Sequence, residues 1–102
     1  MKNTLLVIDV QESFLNEITG NIPKKIAGFI KINKDKFDFI LFFKFVNDRK
    51  SNWVKILNWD RMLKLEETEI ALDLRKFLST DNCFIKKAAF SIFRVEKFKQ
   101  FV

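Results

Sequence analysis

Three polar residues stand where apolar stretches of strand length give out. "TLLVIDV" runs onto Asp9 and leads into Gln11 and Phe14, "FDFILFFKF" gives way to Asn47, and "NCFIK" continues into Lys87. An acid and a lysine at neighbouring strand ends hold each other charged, and a carboxylate so placed can serve as general base to a nucleophile brought between them. The same spacing is met by a plain ion pair, or by a lysine that faces water, and both readings stay open. The chain has one thiol, Cys83, set between Asn82 and Phe84 in an apolar stretch. With no helix start beside it to lower its pKa, it reads as a small buried hydrophobe that reacts slowly. Histidine is absent, so a histidine metal site cannot be built; no metal or other cofactor is expected.

The elements that would position these residues follow from periodicity. The continuous apolar runs have the character of strands covered on both faces, as in a parallel sheet. Pro23 marks a helix start, and Ile22, Ile26, Phe29 and Ile30 recur at helical spacing, which predicts a helix over 22–33. "NDRKSNWVKILNWDRMLKLEE" is less regular; Trp53, Ile56, Leu57, Trp59, Met62 and Leu63 suggest short helical turns covering a sheet edge or a pocket. "ETEIALDLRKFLS" predicts a helix with Ile70, Leu74, Phe77 and Leu78 on one stripe and acids in its first turn. "FRVEKFKQFV" predicts a last helix with Val95, Phe98 and Val102 inward. The order β-α-β-α-β-α implies one α/β domain over 1–102: a three-layer, Rossmann-like parallel sheet in strand order 3-2-1, with helices on both faces. Ligands of such sheets bind outside the carboxyl ends of the strands. Asp9, Asn47 and Lys87 fall there.

Composition narrows the function classes. Hydrophobic residues make up 48% and charged residues 31%, with Gly 2 and Pro 1, which describes a folded globule and not a linker or a disordered tail. No apolar run approaches the ~18 residues of a membrane span, so no membrane partner is expected. A lone cysteine cannot form an internal disulfide, which suits a reducing, cytoplasmic setting. The net charge of +6 raises the question of nucleic acid. The lysines of "KKIAGFIKINKDK" and "VEKFKQF" fall on the wet faces of helices, however, without the interleaved aromatics of a single-strand binder. The abundance of Phe, Lys, Asn and Ile reads as the mark of an AT-rich coding sequence. Nucleic-acid binding is therefore ranked last.

"LLVIDVQESFL" resembles the first strand of the isochorismatase-like and nicotinamidase-like cysteine hydrolases, where an acid-x-Gln pattern followed by Phe carries the catalytic acid and a pocket aromatic. "FIKKAAFSIF" is similar to that family's later segment, where a lysine at a strand end precedes Ser-x-Phe, and "FVNDRKSNWVKILNW" resembles the region between. The resemblance implies that Asp9 is the base, that Lys87 is the catalytic lysine ahead of Ser91 and Phe93, and that Gln11 and Phe14 contact a small-molecule substrate. A thiol with an ordinary pKa of ~8.5 needs such a base and cation to act at neutral pH. Its attack on an amide or related carbonyl needs backbone N–H groups to hold the oxyanion.

The family's nucleophile follows a later strand, in a Gly- and Thr-containing turn that opens a helix, and Cys83 precedes the lysine instead. The expectation is an amino-terminal portion, truncated before the nucleophile and inactive alone, whose first strand forms an exposed edge. That edge would pair with a second chain or a second copy. The alternative is a non-catalytic binding or assembly module that uses the same edge.

Overall fold

The computed structural model describes residues 3–87. Three strands, β1 (Thr4–Ile8), β2 (Phe39–Val46) and β3 (Cys83–Lys87), form one parallel sheet with β2 in the centre. Leu6 pairs with Leu41 and Ile8 with Phe43, while Phe43 pairs with Phe84 and Phe45 with Lys86. β2 is apolar at every position but Lys44, because a central strand is covered on both faces.

Helix α1 (Ile22–Asn33) runs between β1 and β2, with Pro23 in its first turn. It lays Ala27 and Ile30 against Val7 and Phe42, and Ile70 and Leu74 complete the same buried cluster. Leu41, Phe43 and Phe84 form a second cluster on the other face, where the Phe43 and Phe84 rings stack at 5.3 Å. Two residues of the expected helical stripe depart from the core. Ile22 and Phe29 remain 43% and 47% exposed, and with Leu5, Leu6, Val7, Ile8 and Ile26 they line an apolar groove of about 340 Å³ along the outer edge of β1.

The helix expected from "ETEIALDLRKFLS" is instead a 3-10 turn over Leu72–Phe77. Competition for backbone hydrogen bonds explains the difference. Gln11 and Ile70 form an antiparallel bridge, Glu12 N–H donates to Glu69 O at 3.0 Å, and Ala71 N–H donates to Val10 O at 3.0 Å. Those bonds hold 69–71 extended, so the turn begins only at Leu72, where the Glu12 carboxylate accepts from the Leu72 N–H at 2.6 Å. Leu74 and Ile70 still reach the core, as their spacing required.

The irregular stretch contains one short helix, α2 (Asn52–Lys55), capped by Ser51. The expected last helix with Val95, Phe98 and Val102, and the residues Ser91 and Phe93, lie outside the described residues. No helix among the described residues is long and apolar enough to cross a membrane.

Candidate active site

β1 ends by handing its ladder to Asp9, whose N–H donates to Phe43 O at 2.9 Å. Asp9 then turns the chain with a left-handed φ of 61°, a conformation that costs most side chains free energy and that Asp tolerates better than most. The turn sends the backbone away from the sheet and leaves the Asp9 carboxylate at the carboxyl ends of the strands.

The lysine that meets it is Lys86. Its Nζ lies 2.9 Å from each carboxylate oxygen and hydrogen-bonds to Oδ2. Oδ1 is buried, and no donor among the described residues is in bonding geometry to it. The expected pairing of Asp9 with Lys87 is therefore off by one. Lys87 ends β3 opposite Val46, and the position beside Asp9 belongs to its neighbour. Lys86 follows the two-residue alternation of β3 from Phe84, so it shares the face of Phe43 and Phe45.

The two partners differ in burial: the Lys86 side chain is 2% exposed and that of Asp9 40%. A buried ammonium without a counter-ion is far more costly than a carboxylate that still reaches water. Asp9→Ala should consequently cost about 2–4 kcal/mol, against about 1 kcal/mol or less for Lys86→Met. Adding Lys86→Met to Asp9→Ala should recover most of the loss. Urea unfolding of the three variants measures this, and equal costs for the two single changes would contradict the assigned burial.

Gln11 was expected to contact substrate, and the structure gives its side chain other partners. It is fully buried. Its Oε1 accepts the Phe45 N–H at 2.6 Å, and its Nε2 donates to Phe45 O at 3.0 Å and Thr68 O at 2.8 Å. The side-chain amide thus extends the β1–β2 ladder beyond the point where Asp9 turns away, and it ties the segment near Thr68 to both. Its amide is spent on backbone, which makes it a clamp that fixes where Asp9 stands.

Phe14 does reach a pocket. With Asp9, Phe45, Trp53, Leu57 and Trp59 it lines a cleft of about 490 Å³. The Phe14 ring lies 6.3 Å from Phe45, Phe45 lies 6.2 Å from Trp59, and Trp59 meets Trp53 edge-on at 5.7 Å. These separations are typical of aromatic pairs. The result is an apolar slot whose polar end is the Asp9 carboxylate, with the Lys86 ammonium bonded to it. Among the described residues no group of three or more His, Cys, Asp or Glu side chains is placed to hold a metal ion.

Cys83 packs partly buried against the α1 cluster. It lies three positions before Lys86, and an odd offset in a strand means opposite faces. Burial pushes its thiol pKa up, and Lys44 offsets this only in part. The folded chain therefore favours the neutral thiol. Its contribution to stability is present below the ordinary thiol pKa and fades as pH rises through the raised value. Alkylation should be slower than for a free thiol at neutral pH and should keep accelerating above pH ~8.5. Rapid labelling of the folded protein at pH 7 would contradict the placement.

Comparison with family models, curated proteins and solved structures finds no match.

Proposed function

We propose that this chain supplies the general base and the lysine of a cysteine hydrolase of the isochorismatase type, acting on the amide or a related C–N or ether bond of a small, flat molecule. One observation carries the reading. The Asp9–Lys86 pair, at 2.9 Å, stands at the strand ends where parallel sheets bind ligands, and it opens into an aromatic cleft.

The chemistry follows from the two side chains. Lys86 presents a positive charge beside Asp9, which favours a thiolate over a thiol. The Asp9 side chain, 40% exposed beside the cleft, is the group that would take the thiol proton. Phe14, Phe45, Trp53 and Trp59 would grip the flat part of the substrate and leave its scissile carbonyl at the charged end. For an amide substrate, attack by the thiolate on that carbonyl forms a tetrahedral oxyanion. Collapse of the oxyanion expels the leaving group, protonated by Asp9, and water then releases the acyl group.

Cys83 is on the wrong face to act there, so the nucleophile must come from a segment that adds to the sheet. The outer edge of β1 suits such a segment. Leu6 and Ile8 are 36% and 41% exposed there, beside the groove formed with α1, and an edge strand offers N–H and C=O groups for pairing. The same groove favours the second reading, a non-catalytic assembly module that pairs through β1 with a second chain or a second copy.

Hydrolysis of a panel of small amides separates the two. The chain alone should show a rate near background. Mixing it with the carboxyl-terminal half of an isochorismatase-type hydrolase, which carries the cysteine turn and a strand for the β1 edge, should restore turnover that Asp9→Ala removes. Tight association without turnover would favour the assembly module.

A further inference from the structure

Asn47, the residue after β2, is 5% exposed and does not line the cleft, yet its side chain bonds to both stretches that carry the tryptophans. Its Nδ2 donates to Trp59 O at 3.2 Å and to Arg61 O at 2.9 Å, and its own N–H donates to Met62 O at 2.8 Å. On the other side, its Oδ1 accepts from Asp48 N–H at 2.9 Å and from the Ser51 hydroxyl at 2.7 Å. Ser51 in turn accepts from Val54 N–H at 3.4 Å and caps α2, whose second residue is Trp53. The circuit closes where Trp59 N–H donates to Trp53 O at 2.8 Å.

We propose that Asn47 is the positioning residue of the cleft: it holds the Trp53–Trp59 wall at its distance from Phe45 and so sets the width of the slot. The backbone of the wall requires an external hold. Asn58 and Met62 on either side of Trp59 have left-handed φ values of 54° and 65°. Asn accepts that conformation readily and Met does not. A path of this kind persists only where surrounding contacts over-determine it. Asn47 provides three of them, to Trp59, Arg61 and Met62, from a rigid point two residues beyond Phe45. The width would select flat ligands over branched ones. That last clause rests on the cleft being the substrate site, whereas the positioning itself does not.

The test uses the full chain and two readouts: the near-ultraviolet circular dichroism of the tryptophan pair, and the affinity for benzamide followed by tryptophan quenching. Asn47→Asp keeps the acceptor toward Ser51 and loses both donations to 59 and 61. It should reduce the dichroic signal by about half and weaken benzamide about tenfold, with unchanged far-ultraviolet dichroism. Ser51→Ala, which releases only the α2 side, should weaken benzamide by about threefold. In a Trp59→Phe background, the remaining signal should no longer respond to Asn47→Asp. If Asn47→Asp does not fold, the Ser51→Ala result decides. A folded Asn47→Asp, or failing that Ser51→Ala, with the tryptophan signal and the benzamide affinity of the parent chain would overturn the proposal. Loss of the signal in a chain that never bound benzamide would support the role of Asn47 and count against the substrate reading.

Discussion

Gln11→Ala should be the most destabilising single substitution near the site, at about 3–5 kcal/mol. The side chain is fully buried, and its removal strips three backbone groups of their partner: the Phe45 N–H, the Phe45 carbonyl and the Thr68 carbonyl. Each orphaned buried group costs about 1–3 kcal/mol, and the vacated volume adds a cavity. In a domain of this size that corresponds to a fall in melting temperature of roughly 15 °C or more. Gln11→Glu should be nearly as damaging, because it retains an acceptor for the Phe45 N–H but turns a carboxylate toward two carbonyl oxygens. Thermal melts of the two variants measure this. A Gln11→Ala protein that melts within a few degrees of the parent would mean that the clamp is not formed.

The clamp also shows how the site is legible in sequence and where it is not. "VIDVQESF" marks the end of the first strand because an apolar run stops at an acid, and the structure turns the chain at Asp9 as that pattern requires. The side chain of Gln11 is a different matter. A buried amide bonded to backbone and an amide aimed at a ligand have the same sequence, and only the position of Phe45 and Thr68, 34 and 57 residues away, distinguishes them.

The lysine was misplaced by one for a related reason. In "FIKK" the motif spacing counted back from Ser91 selects Lys87. The alternation of β3 from Phe84, which faces Phe43 in the register, selects Lys86. Strand parity was available in the sequence and outweighs a loop spacing, because a one-residue slip would carry every side chain to the other face.

The three strands and α1 were legible for the opposite reason: their apolar periods are long and uninterrupted, so local preference and tertiary packing agree. In the stretch before the third strand they disagree. The stripe of Ile70, Leu74 and Phe77 has helical spacing and does reach the core, but the backbone at 69–71 is claimed by the segment after β1, which no local pattern announces. The aromatic wall was anticipated only as turns near a pocket. The wall is tied to Asn47, whose bonds span up to 15 residues.

The second large effect concerns catalysis. With the nucleophile supplied by the carboxyl-terminal half of an isochorismatase-type hydrolase, removing the ammonium from the base-lysine pair should reduce turnover by about a thousandfold. In the proposed mechanism the attacking thiolate is stabilised by that charge. The loss should fall on kcat, with KM for a small aromatic amide nearly unchanged, because Lys86 touches Asp9 and does not line the aromatic slot. Lys86→Met is the suitable variant, since methionine fills the buried space and Asp9 remains solvated. The decisive measurement is the rate of amide hydrolysis by the reconstituted pair with Lys86→Met and, separately, with Lys87→Met in this chain. Loss of turnover with Lys86→Met is the result expected from the 2.9 Å contact with Asp9. Loss with Lys87→Met while Lys86→Met retains the parent rate would contradict the assignment of the Asp9–Lys86 pair as the reacting centre.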